Sequence, residues 1–288
     1  MRRTPALLAT AALILGLAGC ASAEATSRSV DPDCPAADVP LADLTLTDDA
    51  RAFEGPSTAC LASHAITPIA DDSAPELPVT VTDAEGRTVE ITDVSRILPV
   101  DISGTIAATV FGLGLGDNVV GRDSSTDFDG TEDLPVVTKS GHTLAAEAIL
   151  EIAPTVMLTD TSIGPKEVRQ QLREAGVAVV VVSSDRRLDT SADLVTEIAA
   201  ALGVPQRGDA LGAQLEADIA AAKAEVAAVA PAAASDRPRL LFLYVRGSAN
   251  VYYIFGRDSG ADSLIDAVGG VDVASEIGWE GMKPMTAE

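Results

Sequence analysis

Histidine is nearly missing from this sequence, with two among 288 residues, His64 and His142. Aromatic side chains are scarce as well: one Trp, three Tyr and five Phe. A pocket for an anionic iron chelate, which calls for several arginines and rings, is poorly supplied. Cysteine occurs three times, with no CxxC and no Cys/His cluster, so a structural zinc site is excluded. Basic residues number 20 against 43 acidic ones, a formal charge of −23, and only four of the 20 are lysines. Such a surface repels nucleic acid and anionic lipid. No GxSxG elbow, GxxxxGK[ST] loop or GxGxxG turn occurs, which removes the commonest catalytic signatures of α/β enzymes. The glycines of "FGLGLG" (111–116) end a helical run instead of opening one, and read as packing. Beyond the first twenty residues no apolar run is long enough to span a bilayer.

That first stretch is the one long hydrophobic run. A basic "MRR" precedes "PALLATAALILGLAG" and then Cys20, the pattern of a secretory signal over residues 1–19. "LAGC" resembles a bacterial lipobox, in which the cysteine carries lipid; the alternative is an ordinary signal with an incidental cysteine. Without Arg2 and Arg3 the balance becomes 18 basic against 43 acidic residues, or −25. Cys34 and Cys60 are an even pair in an exported chain and are expected to form a disulfide, the alternative being two free thiols. The bond would close a loop of roughly 25 residues and contribute ~3 kcal/mol through the unfolded state.

Residues 20–76 are rich in Ala, Asp, Ser, Thr and Pro and read as a lipid-anchored, low-complexity leader that includes His64. From "LPVTVTDAEGRTVEI" (77–91), a hairpin pattern around "DAEG", strand-like and helix-like segments alternate. Strands are expected at 96–100, 118–123, 155–160 and 177–184, and helices at 103–115, 143–153, 164–176 and 191–203. This pattern predicts an α/β fold of two lobes, each a mostly parallel sheet flanked by helices, the first over 77–205. Residues 206–230 form a continuous helical pattern that reaches roughly 35 Å at 1.5 Å per residue, a rod joining two lobes. Strands at 239–245 and 250–255 and a helix at 261–270 begin a second lobe over 231–288. "MTAE" (285–288) echoes "LAAE" (144–147), so the second lobe is expected to repeat the first and to be incomplete at Glu288.

The scarce histidine sits in "SGHTL" (140–144), between a strand-like run and a helical run. The run from "VTVTDAEGRTVEI" through "ILEIAPTVMLTD" to the long helix resembles the rigid-helix class of substrate-binding proteins that serve ATP-driven importers of haem, cobalamin and ferric siderophores. Within that class "SGHTL" and "LYVRG" resemble the haem-binding lipoproteins of actinobacterial uptake systems. The resemblance implies haem as the transported ligand, His142 and Tyr244 as axial iron ligands, and Arg246 as support for the tyrosine. Imidazole and phenolate are both haem ligands. Tyr244 and Arg246 stand two apart on an extended segment and share a face, where a guanidinium favours phenolate over phenol. The bland alternatives are a solvated loop histidine and an aromatic at the edge of a core. Tyr252, Tyr253, Met282 and Met285 are candidate cleft-lining residues, although core or surface filling also accounts for them. Arg257 reads as a solvated turn residue. Glu147 and Glu288, at equivalent places in the echo, are candidates for docking an ABC permease; a carboxylate favouring a helix amino end is the alternative. A ferric siderophore or a corrinoid on the same fold is the competing ligand, and an α/β enzyme the competing class. The chain is expected to be monomeric and to have no nucleic-acid partner.

Overall fold

A computed structural model describes residues 40–45, 52, 54, 63–71, 73–139, 141–246 and 251–285. The signal segment, Cys20, Cys34, Cys60 and Glu288 lie outside the described residues. The expected hairpin is present. β1 (Val79–Thr82) pairs antiparallel with β2 (Thr88–Ile91), Val79 opposite Ile91. The Asp83 carboxylate accepts from the backbone N–H of Glu85 and Arg87 and closes the turn.

The first lobe is built on three parallel strands in the order β3 (Ile97–Val100), β6 (Val156–Thr159) and β7 (Ala178–Val181). Strands covered on both faces read as continuous apolar runs, which is why these lack a polar alternation. Alternate residues serve two cores. Ile97, Val156, Leu158 and Val180 pack with α1 (Thr105–Gly112) and α4 (Ser191–Ala201), while Leu98, Val100, Met157 and Val179 pack with α2 (Ala146–Glu151) and α3 (Lys166–Glu174).

Two expectations in this lobe are corrected. The strand at 118–123 is not a regular strand: Val119 bridges Ile97, and Arg122 then bridges Val136. The segment changes partner after two residues, so neither ladder extends. The helix expected from residue 143 starts at Ala146, because Thr143 and Leu144 form β5 against β4 (Thr138–Lys139). Leu144 N–H donates to the Gly164 carbonyl at 2.7 Å and Ala145 N–H to the Val137 carbonyl at 3.0 Å. These tertiary bonds take the amides a longer helix would have left unpaired.

The expected leader is not loose throughout. Ile69 N–H donates to the Gly112 carbonyl, Glu76 N–H to the Gly203 carbonyl, and buried Arg207 to the carbonyls of Leu113 and Ser73. Ile69, Ser73 and Glu76 therefore lie against the first lobe.

α5 (Pro205–Val229) has 25 residues and is the predicted rod. Its first turns press on α4 through Gly208, where a Cβ would stand 2.4 Å from the Ala199 Cβ. Beyond it, the run 239–245, expected as one strand, is broken at Leu241. β8 (Arg239–Leu240) pairs parallel with β11 (Val271–Asp272). β9 (Phe242–Arg246) pairs antiparallel with β10 (Val251–Phe255), which also pairs with β12 (Met282–Pro284). The five-residue register with β10 draws the second half of the run into a different sheet. Parallel pairing thus holds for the first lobe and for β8–β11, whereas the β9–β10–β12 sheet is antiparallel. α6 (Ala261–Ala267) and α7 (Val273–Glu276) are the remaining α-helices among the described residues.

Candidate functional site

The carboxyl ends of parallel strands are where an open α/β sheet places its ligands. Here β3 delivers Asp101, β6 delivers Asp160, and the segment after Val119 delivers Asp123. All three are buried. Arg186, on the chain leaving β7, donates to Asp160 Oδ2 at 2.7 Å and to Asp101 Oδ2 at 3.3 Å. Asp123 accepts from the backbone N–H of Asp101 at 3.0 Å, of Ser125 at 2.6 Å and of Thr126 at 2.9 Å. Burial pushes the Asp123 carboxyl above the usual carboxylate range; those N–H groups oppose the rise and the neighbouring Asp101 charge adds to it. Three buried carboxylates are costly unless they are bonded, and here their oxygens are spent on fixing loops. Among the described residues no group of His, Cys, Asp or Glu is arranged to hold a bare metal ion.

The loops so fixed form a rim. Ile102 N–H donates to Ser162 Oγ, and the Ile102 carbonyl accepts from Ser125 Oγ at 2.7 Å. Ser124 ties the β4–β5 hairpin to this rim: its N–H donates to Thr138 Oγ1 at 3.1 Å and its Oγ to the Gly141 carbonyl at 2.9 Å. Gly141, at φ 88°, makes the turn that sets out His142. The ring of His142 is exposed, and its Nδ1 lies 3.5 Å from Ser125 Oγ. The expected loop histidine is therefore the tip of a hairpin.

Tyr244 is 48 % exposed. It does not close a parallel strand, as its place in the sequence suggested, but sits mid-strand in the antiparallel sheet, directly opposite Tyr253. Their ring centroids are 6.3 Å apart. Strand alternation puts Phe242, Tyr244, Tyr253, Phe255, Met282 and Pro284 on one face. Phe242 and Phe255 meet edge to face at 5.1 Å. Tyr252 takes the opposite face, and Met285, whose N–H donates to the Tyr252 carbonyl, follows it there. Of the four cleft-lining candidates, the sheet thus groups Tyr253 and Met282 with Tyr244, and separates Tyr252 and Met285. Arg246 ends β9, paired in register with Val251. Arg257 is exposed as expected, but it forms a parallel bridge with Glu280 and is not in a turn. Glu147 is exposed in the first turn of α2, which has no side-chain cap. A cavity of about 640 Å³ bordered by Asp93, Leu150, Thr155 and Arg173 opens at the amino ends of β6 and β7, away from His142.

The model of one family, Periplasmic binding protein, matches residues 100–285. The chain belongs to the periplasmic binding protein family. Among solved structures it is similar to the heme binding protein HmuT, at 43 % identity and TM-score 0.71, over 77 % of this chain and 71 % of that one. Variants of HmuT with a histidine, a tyrosine or an arginine replaced by alanine have also been solved, each 42 % identical to this chain. The replaced tyrosine and arginine are two positions apart there, as Tyr244 and Arg246 are here. Two curated relatives are more distant. An uncharacterized ABC transporter substrate-binding lipoprotein, YvrC of Bacillus subtilis (strain 168), is 22 % identical over 206 residues, 70 % of this chain and 63 % of that protein. The cobalamin-binding protein of Halobacterium salinarum is 26 % identical over 220 residues, 75 % of this chain and 56 % of that protein. The chain thus spans less than two thirds of the length of these curated relatives. Each of these relatives is named as a binding protein, and YvrC as one of an ABC transporter.

The aspartate–arginine cluster was not expected from the sequence. Its only signal is a repeated Asp-x-Ser, at 101–103, 123–125 and 160–162, each at the end of an apolar run.

Proposed function

We propose that this protein captures haem between its two lobes outside the cytoplasm and delivers it to an ABC importer. His142 supplies a neutral imidazole from the first lobe and Tyr244 a phenolate from the second, with Arg246 supporting the phenolate. Ferric haem takes both ligand types. Its flat apolar faces suit the surface of Phe242, Tyr253, Phe255 and Met282. The observation that supports this reading is that the chain, 43 % identical to a heme binding protein, has an exposed hairpin histidine in its first lobe and an exposed tyrosine on an aromatic sheet face in its second.

Titration of the purified protein with hemin tests it. We expect a Soret band at one equivalent, a changed Soret position in both His142→Ala and Tyr244→Ala, and loss of specific binding in the double variant. Wild-type spectra from both single variants would refute the ligand assignment. The cobalamin-binding relative supports a second reading, a corrinoid. Added cobalamin that competed hemin off, or bound where hemin did not, would favour it. We further propose lipidation at Cys20 and a Cys34–Cys60 disulfide. Mass measurement of the exported protein, alkylated without reductant, should find lipid on Cys20 and both other cysteines unlabelled.

A further inference from the structure

We propose that Ser125 sets the tautomer of His142, holding the proton on Nδ1 and leaving the Nε2 lone pair free. As a role in iron binding this rests on the reading of His142 as a ligand; as a statement about the ring it does not.

A serine hydroxyl has one proton and two lone-pair sites. The Ser125 oxygen has two neighbours that compete for that proton, the Ile102 carbonyl at 2.7 Å and His142 Nδ1 at 3.5 Å. The nearer, carbonyl acceptor takes it. What then faces Nδ1 is a lone pair, and only an N–H on Nδ1 completes that contact. In a neutral imidazole a proton on Nδ1 means a bare Nε2. Among the described residues Nε2 has no hydrogen-bond partner, so nothing opposes this arrangement.

The contact is built from both sides. Ser125 N–H donates to the buried Asp123 carboxylate at 2.6 Å, and the other oxygen of Asp123 accepts from Asp101 N–H at 3.0 Å. The strand end of β3 thereby fixes the serine. The histidine hairpin is fastened to the adjacent residue, Ser124, by two hydrogen bonds. Serine and histidine therefore shift together if the loop moves. At 3.5 Å the contact is long. It shortens when Nε2 binds iron, because coordination makes the remaining ring N–H a stronger donor. Partners that orient a ligating histidine through its second nitrogen are worth about 10–100-fold in affinity.

The decisive experiment needs no haem. Long-range proton–nitrogen correlation NMR distinguishes the two tautomers of a neutral imidazole. The protein has a single other histidine, His64, which a His64→Ala variant assigns. At a pH where both rings are neutral, His142 should show a protonated Nδ1 and an unprotonated Nε2, while exposed His64 shows the solvent mixture. Ser125→Ala should return His142 to that mixture and weaken hemin binding about 10-fold or more. Ser125→Thr keeps the hydroxyl and should preserve both properties. A wild-type His142 protonated on Nε2, or one indistinguishable from His64, would overturn the assignment whether or not hemin binds. A fixed Nδ1–H tautomer in a protein that ignores hemin would uphold the Ser125 contact and overturn the ligand reading instead.

Discussion

Gly104 lies beneath the serine that contacts His142. Its φ is 72°, and a Cβ there would stand 2.8 Å from the Ser125 carbonyl oxygen. Any L side chain is strained at that φ by about 1–2 kcal/mol, and it also pushes on backbone that the Asp123 carboxylate holds in place. Gly104→Ala should therefore lower stability by about that amount and weaken hemin binding together with it. Denaturation and hemin titration on the same variant check both, and full hemin affinity in a destabilised Gly104→Ala would break the link between Ser125 and the site. His142 and Tyr244 were singled out in the sequence by the resemblance that "SGHTL" and "LYVRG" carry, and His142 stands in the expected loop, at the tip of the β4–β5 hairpin. The carboxylates behind His142 were not. Asp101, Asp123 and Asp160 are spread along some sixty residues and meet only when parallel strands align their ends. The Asp-x-Ser signal also occurs at Asp71 and Asp93, where the carboxylates lie outside the cluster and accept from the backbone N–H of Ser73 and Ser95.

Among the elements, the β1–β2 hairpin is pinned to α3 by Glu85, with Asp83 Oδ2 also 3.7 Å from the Arg173 guanidinium. Glu85 accepts from Arg169 at 2.9 Å and from Arg173 at 3.2 Å. Partial burial alone would raise its carboxyl, but the bonds and charges of Arg169 and Arg173 outweigh burial and hold it below the usual range. A carboxyl lowered in the folded state contributes stability above its unfolded pKa and loses it as pH falls through the lowered value. The pair is partly exposed, so the effect is about 1 kcal/mol or less. Glu85→Gln should lower the melting temperature at neutral pH, and the gap should close in acid. A gap of constant size down to acidic pH would show that the charge is not what pins the hairpin. The helices and strands of the first lobe were readable from periodicity, since their apolar runs are long and bounded by Gly and Pro. The misreadings share one physical cause. Val119–Asp123 bonds Ile97 and then Pro135, Leu144 N–H bonds Gly164, and the break at Leu241 follows from β8 pairing with β11; these partners are distant in sequence, and local pattern carries no record of them.

For the molecule as a whole, a net charge of −23 excludes steering of anionic partners and leaves contacts with cationic ones favourable. Glu147 is placed for such a contact, exposed in the first turn of α2, and we propose it as one docking point for a permease, with Glu288 as its counterpart. Exposed charge pairs set orientation and encounter rate more than affinity. Glu147→Ala should leave the hemin spectrum unchanged and slow haem-dependent uptake in cells; unimpaired uptake in a variant lacking both glutamates would remove docking from the account. The two-lobed plan with a 25-residue rod was legible in the sequence, because an uninterrupted helical pattern of that length does not fit inside a sheet layer. The antiparallel second sheet was not, and it changes the question of the iron ligand. Tyr253 stands across from Tyr244 on the same face, so under the proposed function two phenols would compete for one iron. Resonance Raman spectroscopy of the ferric haem complex decides between them, since an iron-bound phenolate has its own vibrational bands. Those bands are expected in the wild type and in Tyr253→Phe, and should disappear in Tyr244→Phe; phenolate bands that survive in Tyr244→Phe and vanish in Tyr253→Phe would overturn Tyr244 as the ligand.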